Sequence, residues 1–227
     1  MEKLLNNSLL EKSSIIANST MNRQRKCFGG NSYQKELSLD ILGFLKNRLQ
    51  SNEQIKWLDI CCGEGNALIE AAGNLSEYSE NLQITGIDLA GMFQPLSSEI
   101  NSLRLIETSF ENFNSETEFD LITCVHGLHY IGDKLGFLQR VVSMLKADGV
   151  FLANLDLDNI KIKDDKSANR IIAKELRKNG FEFNSKKHIV KSGGKNKIEF
   201  DFEYLGADDS AGANYTGQAV VNSYYRF

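Results

Sequence analysis

The sequence predicts an α/β fold, a doubly wound Rossmann-like sheet of about seven strands, mostly parallel with an antiparallel C-terminal end. Three observations predict it. Between Ile55 and Leu155, short apolar runs alternate with segments of helical period. One run, FDLITCV (119–125), is nearly all apolar, as a central parallel strand buried on both faces has to be. After Gly180 the chain reads as strands joined by turns, which places an antiparallel end beside the parallel part.

Each element follows in order. Residues 4–17 carry Leu4, Leu5, Leu9, Leu10, Ile15 and Ile16 at loosely helical spacing, and the polar, Gly-containing stretch 18–32 reads as an arm or loop. We divide the chain into an N-terminal helix and arm, 1–32, and one domain, 33–227. Ser32 is placed to cap a helix over 34–49, whose Leu37, Ile41, Leu42, Leu45 and Leu49 share a face. IKWLDI (55–60) is the first strand, and a helix carrying Ala67, Leu68, Ala71, Ala72 and Leu75 follows it. LQITGIDL (82–89) is the second strand, with a helix expected over 91–101 despite Pro95. LRLIE (103–107) and FDLITCV are the third and fourth. Asp133 caps a helix through Leu145, Lys146 to Gly149 form a turn, and VFLANL (150–155) is the fifth strand. A helix over about 165–179 stops at Gly180, and strands are expected at 181–191, 197–205 and 218–226, with Gly193-Gly194 as a turn.

Composition narrows the function classes. The 227 residues are 41 % hydrophobic and 25 % charged, ordinary for a soluble globular chain. No apolar run approaches the ~20 residues of a membrane helix, and the N-terminus lacks the pattern of a secretory signal, so the expected location is cytoplasmic. The four cysteines form no C-x-x-C pair, which argues against a zinc knuckle or redox dithiol; no metal-ligating set is expected. Residues 51–160 hold 5 Lys/Arg against 17 Asp/Glu, and residues 161–200 hold 12 against 5. The acidic centre argues against a nucleic-acid cradle. The basic stretch reads as a solvated helix face or as a surface for an anionic partner. Nothing dictates an oligomeric state.

In a doubly wound sheet ligands sit at the carboxyl ends of the strands. After the first strand stands Asp59-Ile-Cys-Cys-Gly63-Glu-Gly65, where glycines allow a sharp turn and close backbone approach. Asp88 ends the second strand, 23 residues past Gly65, near the ~20 expected of an acid that binds a ribose diol. Two cofactors use this geometry, a dinucleotide and S-adenosylmethionine. Leu68 occupies the position where the dinucleotide pattern has its third glycine. A carboxylate at Asp59 suits an ammonium group better than a pyrophosphate, because like charges repel.

WLDICCGEGN (57–66), GIDL (86–89), FDLITCVHGLHYI (119–131) and LKADGVFLAN (145–154) together resemble the class I S-adenosylmethionine-dependent methyltransferases, small-molecule type, over residues 33–158. The resemblance implies that S-adenosyl-L-methionine is the cofactor and that the enzyme moves a methyl group to oxygen or nitrogen of a small-molecule or peptide acceptor. It implies that Asp59, Cys61, Gly63 and Gly65 surround the methionyl end, that Asp88 takes the ribose hydroxyls, and that Leu89 and Met92 pack on the adenosine side. Where relatives carry a Gly-Asp pair after the third strand, this chain has Thr108-Ser109, and Ser109 or the Phe110 N–H is the substitute. Val125 lies beside the sulfonium, and Tyr33 precedes the first core helix, where relatives close over the cofactor.

On the acceptor side stand His129, Tyr130 and Tyr215, the last in the segment 205–218, read either as a lid or as a plain β-connection. His126, at the very end of the fourth strand, is the candidate general base, since histidine is the commonest such group. Two other classes stay open, an NAD(P)-dependent Rossmann oxidoreductase and a non-catalytic S-adenosylmethionine-binding protein.

Overall fold

The structure is a computed structural model that describes residues 4–17, 24–51, 54–163, 165 and 167–227. Residues 18–23 of the expected arm lie outside the described residues. FDLITC forms β4 (Phe119–Cys124), every residue of it buried. Leu121 faces one core with Trp57 and Leu68, while Ile122 and Cys124 face a second core with Phe137 and Phe151. A strand apolar on both faces needs cover on both, so it lies mid-sheet. β1 (Ile55–Ile60) and β5 (Leu145–Asn154) flank it in parallel. β2 (Leu82–Asp88) and β3 (Leu103–Glu107) extend the sheet beyond β1, and β8 (Ile189–Gly193) and β7 (Glu182–Asn184) extend it beyond β5. The order is β3-β2-β1-β4-β5-β8-β7, with β8 antiparallel to both of its neighbours. This is the expected doubly wound sheet, and its strand order reverses between β1 and β4, where a ligand crevice belongs.

Helices cover both faces. α1 (Asn7–Leu10) and α2 (Ser14–Ala17) open the chain, and α3 (Tyr33–Leu37), α4 (Ile41–Leu49) and α5 (Asn66–Asn74) pack on one face of the sheet. α6 (Lys134–Ser143) and α7 (Ala168–Lys178) pack on the other. Ser32 and Asp133 accept hydrogen bonds from Lys35 N and Gly136 N, so both act as the N-caps expected.

Four local expectations change. The helix expected over 34–49 is two helices, because Ser38 turns left-handed (φ 53°) and Asp40 caps a second start on Gly43 N. No helix forms over 91–101: Pro95 lacks an N–H, Gln94 N is spent on Glu64 O, and Met92 and Leu96 are exposed rather than part of a buried stripe. The Lys146–Gly149 turn is a bulge within β5, opposite the step from Phe119 to Leu121. The expected strand 181–191 is the β7–β8 hairpin.

The last strands leave the main sheet. β6 (Ile160–Ile162), β10 (Asn222–Arg226) and β9 (Glu203–Asp208) make a second sheet, β6-β10-β9. Lys134 joins it to α6. This lysine is fully buried, and its Nζ donates to Ile131 O, Val221 O and Ser223 Oγ, each at 2.9 Å. All three of its donors are used, which is what makes a buried ammonium tolerable. Among the described residues no helix is long and apolar enough to cross a membrane.

Candidate active site

The carboxyl ends of β1, β2 and β3 open into a cleft. Ile60, Cys61, Ile87, Leu89 and Phe110 make its apolar walls, and Asp88 is the carboxylate set among them. Asp88 is held from two sides: Gly63 N donates to Oδ2 and Ala90 N to Oδ1, both at 3.0 Å. These two backbone bonds fix the carboxylate in place at the edge of the cleft. Gly63 and Gly65 take positive φ, 61° and 79°, in the turn that brings this backbone to the cleft. The third glycine absent at 68 has its counterpart in Gly86 on β2, where a Cβ would lie 2.5 Å from Leu68 Cδ1. Helix and strand thus approach closely with the glycine on the strand. Ser109, Glu111 and Tyr130 complete the rim, and α1 lies across it with Asn7 Nδ2 donating to Glu111 Oε1 at 3.0 Å. An apolar slot around a fixed acceptor-only carboxylate suits the adenosine of S-adenosylmethionine.

Beneath the cleft, Asp59 has no exposed surface. Tyr33 Oη donates to its Oδ2 at 2.7 Å, and Thr123 Oγ1 donates to its Oδ1 at 2.5 Å while accepting from Trp57 Nε1. Burial pushes the Asp59 carboxyl up from 3.8 to about 7, opposed by the two hydroxyl bonds. Asp59 therefore ties β1, β4 and α3 together, and Tyr33 is buried against it.

A second group of side chains stands at the end of β4. His126 turns left-handed (φ 57°), as does Cys61 (φ 60°) just past the adjacent β1. Gly127 lets the two turns touch, since a Cβ there would lie 2.5 Å from Cys61 Cβ. The His126 N–H donates to Asn154 Oδ1 at the end of β5. Its ring Nε2 lies 2.9 Å from Glu36 Oε2, and its Nδ1 lies 3.2 Å from His129 Nε2. Arg25 Nη1 donates to the other Glu36 oxygen at 2.7 Å. Bonds from His126 and Arg25 hold the Glu36 carboxyl below its ordinary value against the effect of burial. Burial lowers His126, with Glu36 opposing, and lowers His129 well below its ordinary value. At pH 7 both rings are neutral and Glu36 is ionised. Glu36 can then only accept, so the His126 proton is on Nε2, and Nδ1 accepts from the Nε2–H of His129. Tyr215 stands 5.6 Å from His129, edge-on, and stacks on His188 with ring centroids 3.8 Å apart.

A family model described as methyltransferase domain matches residues 31–191. The chain belongs to the methyltransferase-domain family. No curated protein matches it. Among solved structures, this methyltransferase domain is similar to the plantazolicin methyltransferase BpumL in complex with a monoazolic desmethylPZN analog and SAH (19 % identity, TM-score 0.39, 65 % of this chain and 51 % of that one). It is also similar to SAM-bound CalS10, an amino pentose methyltransferase from Micromonospora echinaspora (18 %, 0.38, 51 % and 49 %). A third is a SAM-dependent methyltransferase from Thiobacillus denitrificans in complex with S-adenosyl-L-homocysteine (21 %, 0.38, 49 % and 46 %). The chain spans about half the length of these solved chains.

Within the methyltransferase domain, the cleft gathers Cys61, Asp88, Leu89, Ser109, Phe110 and Tyr130 of the residues named from sequence. Gly63 and Gly65 shape its turn. Tyr33, Asp59 and Val125 are buried below it, and Met92 is 61 % exposed on the loop after β2. His126, His129 and Tyr215 form the second group. Sequence reasoning missed Arg25, Glu36 and Asn154. Glu36 reads as an ordinary helix-surface glutamate in YQKEL, and only tertiary packing brings it to His126.

Proposed function

We propose that this protein is an S-adenosylmethionine-dependent methyltransferase acting on oxygen or nitrogen of a small-molecule or peptide acceptor. The observation that carries the reading is Asp88, pinned by Gly63 N and Ala90 N inside an apolar cleft at the switch point of a methyltransferase-domain fold. When bound, the cofactor supplies a methyl group already activated on a sulfonium. Asp88 binds the ribose hydroxyls, and Leu89 and Phe110 flank the base. Cys61 and the Gly63 turn border the methionyl end, and α1 with Tyr130 keeps water from the cleft. Aligning the two reactants can itself supply ~7–11 kcal/mol in favourable cases.

The acceptor's proton is the remaining task. His126 is neutral at pH 7, and its Nδ1 takes that proton once the acceptor displaces His129 Nε2. Glu36 then faces the imidazolium at Nε2 and stabilises it, with Arg25 holding the carboxylate in place. The oxidoreductase alternative loses support at Leu68, whose side chain fills the space against Gly86.

The experiment is to incubate the protein with S-adenosylmethionine and a panel of hydroxyl, amine and peptide acceptors, and to measure S-adenosylhomocysteine by chromatography. Acceptor-dependent release supports the reading. Cofactor binding without release by any acceptor favours the non-catalytic alternative.

A further inference from the structure

The carboxyl rim carries a second, open cleft beyond β5 and between α7 and the β7–β8 hairpin. It is set apart from the cleft over β1–β3 by the His126–His129–Tyr215–His188 group, and His188 is both the partner of Tyr215 and part of the second cleft's wall. Its floor is apolar, made by Leu157, Ala173 and Phe183. Two guanidiniums, Arg170 and Arg177, line it from α7, seven residues and so ~10 Å of helix apart. Neither makes an ion pair among the described residues. Two carboxylates, Asp156 and Asp158, line the same cleft. Asp156 is 4 % exposed, held by a bond from Asp158 N at 3.0 Å and lying 3.9 Å from His188 Nδ1. Asp158 accepts from the Asn169 side chain. Opposite charges therefore share one cavity without pairing to each other. A purely anionic ligand would meet the two carboxylates, and a purely cationic one the two guanidiniums. A ligand with both charges, close together and joined to an apolar group, satisfies each.

We infer that this cleft binds a ligand that carries a zwitterionic α-amino-acid group joined to a hydrophobic side chain. The guanidiniums take its carboxylate, Asp156 and Asp158 take its ammonium, and the apolar floor takes a hydrophobic side chain. The ligand class is independent of the methyltransferase reading, because the cleft lies away from Asp88.

The test is calorimetric titration, without cofactor, of L-phenylalanine, its amide and its N-acetyl derivative. Saturable binding of the free amino acid is expected, weakened at least tenfold by blocking either charge. Arg170→Gln/Arg177→Gln, on exposed helix positions, should remove the difference between the free acid and the amide. Asp158→Asn should reduce the difference between the free acid and the N-acetyl compound. No saturable binding of L-phenylalanine, or binding indifferent to both blocks and to the arginine pair, overturns the inference. Titration of S-adenosylhomocysteine in parallel separates the two claims: its failure with amino-acid binding intact removes the methyltransferase reading and leaves this ligand class standing.

Discussion

Nε2 of His126 lies 2.9 Å from the carboxylate of Glu36, 90 residues earlier in the chain. The pair joins the short helix after the arm to the end of the central strand, next to Cys61 at the edge of the cleft. It also fixes the tautomer of His126, with its proton on Nε2.

His126→Ala is expected to lower turnover by ~10²–10⁴-fold, the usual contribution of a general base, with the affinity for S-adenosylhomocysteine nearly unchanged. Glu36→Gln should lower turnover less, because the amide can still accept from Nε2–H but no longer carries the charge that stabilises the imidazolium. Burial lowers the His126 pKa, so the wild-type rate should fall, as the ring takes a proton, only at a lower pH than an ordinary imidazole base would set. Steady-state rates of the three proteins from pH 5 to 9 check this. An unchanged profile in His126→Ala removes it from the mechanism and favours a carboxylate acceptor, which needs no base.

Stability should carry two opposed pH dependences. The Asp59 carboxyl is raised to about 7 in the fold, so between its ordinary 3.8 and 7 the native state holds the extra proton and stability falls as pH rises. The Lys134 ammonium is lowered by burial to about 7, so between 7 and 10.5 the unfolded chain holds the extra proton and stability rises with pH. Urea unfolding from pH 4 to 10 should show the first slope flattened in Asp59→Asn and the second in Lys134→Met. Slopes identical to wild type in both variants would contradict the assignment.

The N-terminal segment should respond to cofactor. Leu5 exchanges backbone bonds with Ala207 at 2.8 Å in each direction, Tyr204 Oη donates to Asn7 Oδ1 at 3.1 Å, and Asn7, Leu10 and Glu11 line the cleft. Hydrogen exchange in α1 and in β9 around Ala207 should slow together when S-adenosylhomocysteine binds. Protection elsewhere on the rim with none in residues 5–11 would mean that α1 does not cover the bound ligand.

The parts legible in the sequence were those fixed by local chemistry. A short, nearly all-apolar run among βα alternations reads as a central strand, Ser32 and Asp133 cap because their side chains reach N–H groups three residues on, and Asp88 follows the glycine turn at a set distance. The group around His126 was legible only in part. His126 and His129 meet because a 3-10 turn over Gly127–His129 brings positions three apart onto one side, and that turn has no strong sequence signal. Glu36 and Arg25 join them through tertiary packing alone. The helix expected after β2 failed because Pro95 lacks an N–H, Gln94 N is bound to Glu64 O, and only Phe93 and Ile100 of its apolar residues pack on the core while Met92 and Leu96 stay exposed, which a periodicity count does not register.

The central claim is that the cleft around Asp88 binds S-adenosylmethionine. Calorimetric titration of S-adenosylhomocysteine into the wild-type protein and into Asp88→Ala, with NADH as the control ligand, tests it most directly. The account predicts saturable binding of S-adenosylhomocysteine and none of NADH, with the variant folded and weaker by ~1–3 kcal/mol, the cost of losing hydrogen bonds to a charged group. Equal affinity in the folded variant, or saturable binding of NADH in place of S-adenosylhomocysteine, would contradict it.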